Sequence, residues 1–133
     1  MKKTSRRKPK SGILLVDDHP LARVGVRQMI ETDPKLEVCG EAGTAAEGLS
    51  AAIAHSPALV ISDVTLPGRS GFELVQDLAA RCPHLPVLML SMHSESTYAR
   101  RALEIGARGY IMKSADGDEL LQAIHTVLNG SIY

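Results

Sequence analysis

The stretch ILLVDDHP, from Ile13 to Pro20, decides the fold. Its four aliphatic residues show no polar alternation, which indicates a strand buried on both faces, as in parallel sheets. Two adjacent acids, Asp17 and Asp18, follow at once, and Pro20 suits the first position of a helix. Because neighbouring carboxylates repel each other, this pair requires a positive partner.

Short apolar runs alternate with longer helical segments along the rest of the chain. We predict a strand at each of five such runs: Ile13–Val16, Leu36–Gly40, Ala58–Ile61, Val87–Leu90 and Gly109–Met112. A helix follows each run, so five β–α units arise in series. Such a series predicts an α/β fold, in which one parallel sheet carries helices on both faces.

The sequence indicates where several helices begin and which of their residues face the sheet. We predict capping boxes at Thr44 with Glu47, at Ser70 with Glu73 and at Asp116 with Glu119. The fourth helix, predicted over Glu95–Ile105, offers the sheet only Ala99, Ala102 and Leu103. Little burial means low local stability, so we expect this helix to move.

Length and composition fit one domain with an aliphatic core. The chain has 133 residues, 44% of them hydrophobic, with no Trp and one Phe. The first ten residues hold six of the fifteen Lys and Arg residues and no acid, and we expect residues 1–11 to form a solvated, disordered leader. A basic arm for nucleic acid or membrane is the alternative. No apolar run has membrane-spanning length. The two cysteines, Cys39 and Cys82, lie in unrelated sequence contexts, which favours free thiols in a reducing cytoplasm.

Polar residues stand where several predicted strands end. Asp17 and Asp18 follow the first strand, Asp63 the third, Ser91 the fourth and Lys113 the fifth. In open α/β sheets these carboxyl ends form the site, so we expect the side chains to converge. Oxygen ligands favour a hard cation such as Mg²⁺, which pairs with phosphates. Asp63 is then placed to attack phosphorus, and Lys113 carries the charge that a phosphoryl group needs.

Four motifs together make the chain resemble a response-regulator receiver domain of the NarL/FixJ-type subfamily over 12–130. They are VDDHP, SDVTLPGRSGFELV, LSMH and GARGYIMKSA. The resemblance implies a flavodoxin-like, five-stranded parallel sheet of order 2-1-3-4-5 with five helices. It also implies two-component signalling, in which a sensor histidine kinase donates a phosphoryl group to the receiver. The domain is then a phosphoprotein, and its chemistry is self-catalysed and not that of a classical enzyme.

The resemblance assigns roles to individual residues. Asp63 is the phosphoacceptor and a ligand of Mg²⁺ or Mn²⁺; Asp18 binds the ion directly, Asp17 through water, and Thr65 through its backbone carbonyl. Ser91 and Lys113 bind phosphoryl oxygens, and Ser91 and Tyr110 form the switch. We expect Thr65 and His93 to tune the lifetime of the acyl phosphate. Many members carry Pro where Ser114 stands, so the geometry of the Lys113–Ser114 peptide bond is left open, because a non-prolyl cis bond costs about 3–4 kcal/mol.

The resemblance also suggests an output. Members of the subfamily usually carry a helix-turn-helix DNA-binding domain after the receiver, and residues 131–133 read as the start of a linker to it. DNA binding then requires a domain absent from these residues, because they hold no basic recognition helix. Phosphorylation is expected to promote a homodimer, through helix 4, strand 5 and helix 5 with Arg100, Arg101 and Arg108, or through helices 1 and 5. We expect a cytoplasmic protein that does not contact membranes.

Three alternatives stay open at this point. A stand-alone receiver would act through protein–protein contacts. An aspartate-nucleophile phosphatase would place its two acids two residues apart after one strand, whereas Asp17 and Asp18 are adjacent. A flavin carrier would need a phosphate loop after the first strand, where this chain is acidic. His19 is expected to cap the first helix, with little weight given to a metal role.

Overall fold

A computed structural model describes residues 9–92 and 96–133 of the chain. Within these residues, strands and helices alternate from beginning to end. The strands are β1 Ser11–Val16, β2 Leu36–Ala42, β3 Leu59–Asp63, β4 Val87–Ser91 and β5 Gly109–Met112. The helices are α1 Pro20–Glu31, α2 Ala45–His55, α3 Gly71–Arg81, α4 Ser96–Glu104 and α5 Gly117–Leu128. The predicted α/β fold is therefore confirmed.

The five strands form one parallel sheet in the order β2-β1-β3-β4-β5. This order, expected from the resemblance, is confirmed. The predicted runs differ from the strands by one or two residues at several ends. The strand β1 begins at Ser11, a residue that the predicted division placed in the leader. The order makes the ends of β1, β3, β4 and β5 neighbours along one edge of the sheet.

The sheet divides the core into two layers, and β1 shows why. Ile13 and Leu15 pack with α1 and α5, whereas Leu14 and Val16 pack with α2, α3 and α4. All four are at most 2% exposed. Both faces of the strand must therefore be apolar, which explains the unbroken aliphatic run in the sequence.

The predicted capping boxes are only partly correct. Ser70 and Glu73 form the full reciprocal box at the start of α3. The side chains of Thr44 and Asp116 accept the expected backbone N–H of α2 and α5. Glu47, however, accepts its hydrogen bond from the Gly43 N–H at 3.1 Å, one residue before the helix cap. A capping pattern in the sequence does not determine which neighbouring donor the carboxylate reaches.

Helix α4 packs differently from the prediction. Ala102 is buried, but Leu103, expected to face inward, is 41% exposed. The side chain of Tyr98 packs against the core instead and lies against Phe72, with ring centroids 6.2 Å apart. Among the side chains of α4 that the structure describes, from Tyr98 onward, the inward contacts rest on one small residue and one aromatic ring, which agrees with the weak burial expected from the sequence.

The residues after α5 turn back onto the sheet. Gly130, with a φ of 92°, supplies the left-handed turn that most side chains disfavour. The Tyr133 N–H then donates to the Arg108 carbonyl at 2.9 Å, beside the edge strand β5. The segment predicted to begin a linker is thus bound to the domain. Among the described residues, no helix is long and apolar enough to cross a membrane.

Gly71 sets how closely α3 approaches β3. Its N–H donates to the Val64 carbonyl at 2.8 Å, and a Cβ there would collide with the Asp63 carbonyl oxygen. It would also meet Met89 Cε at 3.0 Å. Backbone cannot rotate away as a flexible side chain can, so the first residue of α3 has to be glycine for this approach.

We expect Gly71→Ala to destabilise the protein by about 1–3 kcal/mol, because the added methyl group overpacks this contact. Gly25→Ala is the matched control: it lies within α1, and a Cβ there meets nothing within 4 Å. That substitution should stabilise the protein by about 0.5–1 kcal/mol, the ordinary gain of alanine in a helix. Urea denaturation measures both changes, and equal effects of the two variants would contradict the close approach.

Candidate functional site

The polar residues predicted to converge do meet at the carboxyl edge of the sheet. Asp17 follows β1, Asp63 ends β3, and Ser91 ends β4. These three are buried, with exposures of 5%, 4% and 1%. Lys113 follows β5, and its N–H donates to the Ser91 carbonyl at 2.8 Å, which continues the strand pairing to the site. The backbone hydrogen bonds of the sheet therefore bring these side chains together.

Lys113 joins the two buried carboxylates. Its Nζ lies 2.8 Å from Asp63 Oδ2 and 2.9 Å from Asp17 Oδ2. Burial lowers the pKa of Lys113, but the hydrogen bonds and charges of Asp63 and Asp17 outweigh it, and the pKa lies above its usual value. The ammonium is thus held charged between the acids. The Lys113–Ser114 peptide bond, whose geometry the sequence left open because Ser114 replaces the usual proline, is trans.

The adjacent acids Asp17 and Asp18 occupy different environments. Asp17 has an 8% exposed side chain, whereas that of Asp18 is 33% exposed. Burial raises the pKa of Asp17, but the backbone N–H of His19 and the ammonium of Lys113 together bring it below its usual value. The repulsion that the sequence implied is therefore offset from two sides, by Lys113 and by a backbone donor.

His19 caps α1 in position only. It is the N-cap residue, but its side chain accepts no hydrogen bond from the helix. The ring lies over the acids instead, with Nδ1 3.1 Å from both Asp17 Oδ1 and Asp18 Oδ1 and 4.0 Å from Asp63 Oδ2. The expectation that His19 caps the helix is therefore correct for its position and wrong for its side chain.

The donor atoms at this edge fit a small divalent cation. Asp17, Asp18, His19 and Asp63 each offer one ligand atom, and these atoms all lie within 4.8 Å of one another. Three carboxylates with one ammonium leave excess negative charge, and carboxylate oxygens are the ligands that Mg²⁺ and Mn²⁺ prefer. The acidic pocket could therefore bind a divalent metal.

Of the other predicted residues, Thr65 contacts the pocket directly and Tyr110 lies on the edge strand β5. The exposed Thr65 donates its backbone N–H to Asp63 Oδ1 at 3.2 Å. Tyr110 is half-buried on β5, where its register partner is Met89 of β4. Tyr110 therefore lies one strand away from the Ser91 position. His93 falls outside the described residues.

The sequence analysis did not identify Arg23, whose side chain binds the backbone of the loop after β1. Its guanidinium donates to the Asp17 carbonyl oxygen and, through Nε, to Glu41 Oε1 at 3.1 Å. Glu41 also accepts from Arg27 Nη1 at 2.7 Å. Arg23 lies one helical turn after His19, and that spacing was the available signal: it places the side chain on the face of α1 nearest the acids.

The comparison with known protein families decides what kind of site this is. A family model described as "Response regulator receiver domain" matches residues 13–125. The chain belongs to this family. The match favours the receiver interpretation over the phosphatase and flavin-carrier alternatives.

Curated relatives of this receiver domain are transcriptional regulators. It is 37% identical over 126 residues to the transcriptional regulatory protein MctR of Rhizobium johnstonii, covering 95% of this chain and 59% of MctR. It is 38% identical over 115 residues to the DNA-binding transcriptional activator DevR/DosR of Mycobacterium tuberculosis, covering 86% of this chain and 53% of that one. For the nitrate/nitrite response regulator NarL of Escherichia coli the identity is 33% over 120 residues, covering 90% and 56%. The chain thus spans little more than half of each relative.

Solved structures confirm the receiver fold. A LuxR-family two-component response regulator from Aurantimonas superimposes with a TM-score of 0.89 at 39% identity, over 92% of this chain and 88% of that one. The signal receiver domain of the putative NarL of Mycobacterium tuberculosis gives 0.88 at 29% identity, over 92% and 99%. The second match covers nearly all of an isolated receiver domain.

We expect Lys113→Met to lower the free energy of unfolding by about 3 kcal/mol without divalent cations, because Asp17 and Asp63 lose their shared partner inside the protein. Lys35→Met is the matched control, since Lys35 is exposed, and its effect should stay within about 0.5 kcal/mol. Denaturant titration in the presence of a chelator measures both. A Lys113 variant as stable as the Lys35 variant would show that the ammonium does not hold these carboxylates.

Proposed function

We propose that this receiver domain accepts a phosphoryl group on Asp63 from a sensor histidine kinase, with Mg²⁺ or Mn²⁺ bound in the acidic pocket. One observation carries the proposal: the buried Asp63 carboxylate lies 2.8 Å from Lys113 Nζ and within reach of three further metal-ligating groups. A nucleophile beside both a cation site and an ammonium is the arrangement that phosphoryl transfer needs, because positioning and charge neutralisation supply most of its catalysis.

The transfer exchanges one phosphorus bond for another. A carboxylate oxygen of Asp63 forms the O–P bond as the N–P bond of the kinase phosphohistidine breaks, and the released imidazole takes a proton. Asp18 and Asp63 would hold the cation directly, Thr65 would hold it through its carbonyl, and Asp17 through water. The bound ion supplies positive charge against the phosphoryl oxygens. Lys113 supplies a second positive charge and Ser91 a hydroxyl donor.

Phosphorylation is proposed to change the surface that the domain presents around α4 and β5. Phosphorylation adds about −1.5 to −2 charge beside Lys113 and Ser91. Movement of Ser91 toward the phosphoryl group opens space into which Tyr110 rotates, and the weakly buried α4 follows. A local charge event then biases an element with two positions. Thr65 and His93 are proposed to tune how fast water removes the phosphoryl group.

The domain is proposed to control transcription through a DNA-binding domain elsewhere in the protein. Curated relatives are transcriptional regulators of which this chain covers 51–59%, and DevR/DosR is described as DNA-binding. Proposed partners are therefore a cytoplasmic histidine-kinase domain, a second copy of the receiver, and DNA through the output domain. A stand-alone receiver that acts by protein–protein contact is the second candidate.

We expect Asp63→Asn to abolish phosphorylation by acetyl phosphate or a kinase with Mg²⁺, because an amide cannot serve as the attacking group. Asp77→Asn is the matched control, since Asp77 pairs with Arg69 at 2.9 Å on the surface of the protein and not in the acidic pocket. Intact-mass measurement reports the added phosphoryl group. Labelling that survives in the Asp63 variant would overturn the assignment.

We expect Mg²⁺ to stabilise the protein by ligand linkage, by about 2.7 kcal/mol at a concentration of about 100 times its Kd. Asp18→Ala should remove this gain, because it deletes the most accessible carboxylate of the pocket. Asp118→Ala, at an exposed position in the first turn of α5, should keep it. Thermal unfolding with and without Mg²⁺ measures the gain. A full response in Asp18→Ala would place the ion elsewhere.

We expect beryllofluoride with Mg²⁺, which imitates the phosphoryl group, to shift the domain from monomer toward dimer. Tyr110→Ala should weaken the shift, because it removes the side chain proposed to couple the site to α4. Sedimentation velocity at about 100 μM, suited to a weak transient interface, measures the populations. Monomers under both conditions would show that phosphorylation does not dimerise the receiver by itself.

A further inference from the structure

The exposed ring of His19 is placed like a ligand of the acidic pocket. Its Nδ1 lies 3.1 Å from an oxygen of Asp17, 3.1 Å from an oxygen of Asp18 and 4.0 Å from an oxygen of Asp63. Ligands about 2.0–2.1 Å from an octahedral ion lie about 2.9 Å apart when adjacent and about 4.1 Å apart when opposite. The three distances from His19 Nδ1 are thus close to those that a single six-coordinate ion imposes between one ligand and its neighbours.

The backbone holds this ring at the pocket. His19 has extended dihedrals, with a φ of −100° and a ψ of 106°, and Pro20 follows at the first position of α1. The His19 N–H donates to Asp17 Oδ1 at 2.8 Å, and the His19 carbonyl accepts the Arg23 N–H at 3.0 Å. Both sides of the residue are therefore anchored. Since the side chain is 62% exposed, the ring can adjust by rotation at small desolvation cost.

We propose that His19 is a nitrogen ligand through which the pocket binds borderline transition-metal ions, such as Co²⁺ or Ni²⁺, more tightly than Mg²⁺. The inference rests on the proposed function, because it uses the same carboxylates to hold the ion. Imidazole nitrogen suits these ions, whereas Mg²⁺ prefers oxygen and keeps several waters. Ligation uses the neutral ring with its proton on Nε2, so that Nδ1 offers a lone pair.

The choice of metal follows from this arrangement. Asp17, Asp18 and Asp63 serve both kinds of ion, but only a transition metal gains from exchanging a water for the imidazole. His19 therefore determines which cation the pocket prefers, and has a small effect on Mg²⁺ itself. In the alternative arrangement the ring only donates a hydrogen bond to the acids, and all cations would respond alike to its removal.

Co²⁺ binding to the full chain tests the proposal by isothermal titration and by the visible absorption of the bound ion. Mg²⁺ competition restricts the signal to the acidic pocket and excludes Co²⁺ bound at the free thiols of Cys39 and Cys82. We expect His19→Asn to weaken Co²⁺ binding by roughly tenfold or more and to change its spectrum, with a much smaller effect on Mg²⁺. Asn is itself a favoured N-cap residue, so the start of α1 is preserved.

Further variants distinguish a failure of the His19 proposal from a failure of the proposed metal pocket. His55→Asn, at the exposed end of α2, should leave Co²⁺ binding unchanged; an equal loss there would overturn the proposal. Unchanged Co²⁺ affinity and spectrum in His19→Asn, with Mg²⁺ still competing, would show that His19 is not a ligand and would leave the proposed function intact. If Asp18→Ala binds Mg²⁺ and Co²⁺ as the wild type does, the metal pocket itself is wrong and both proposals fall.

Discussion

The contact of the Lys113 ammonium with Asp17 and Asp63 is the interaction on which the site depends. It spans 2.8 and 2.9 Å and joins the ends of β1, β3 and β5. Two buried carboxylates without such a partner would repel each other and disfavour the sheet order that brings them together. One ammonium leaves negative charge unbalanced, because the pocket also holds the third acid, Asp18. One contact therefore stabilises the folded chain and keeps the pocket attractive to a cation.

Much of the fold could be predicted from the sequence because the central strands β1, β3 and β4 are buried on both faces. Runs such as Ile13–Val16 lack polar alternation for that reason, and their ends mark where polar residues resume. Asp63, Ser91 and Lys113 could be assigned to one edge from the direction of parallel strands alone. The strand order itself came from the resemblance to a family, since five similar β–α units fit more than one arrangement.

The features that could not be predicted depend on the orientation of individual side chains. His19 was expected to cap α1, but its ring lies beside Asp17 and Asp18 and makes no capping hydrogen bond. Leu103 was expected to face inward, yet Tyr98 fills that space against Phe72. His125 Nε2 lies 2.6 Å from Asp33 Oδ2, which is 92 residues away along the chain, and no sequence pattern indicates that contact. Such contacts follow from tertiary packing, and local patterns do not encode them.

The return of residues 131–133 to β5 has a consequence for how this protein behaves in crowded solution. An edge strand presents unpaired backbone groups that can recruit strands of other molecules and start aggregation. The Tyr133 N–H occupies the Arg108 carbonyl at that edge and thereby blocks one of the positions at which a foreign strand could pair. Residues 131–133 thus cover part of the backbone next to β5 and disfavour mispairing between copies at that position.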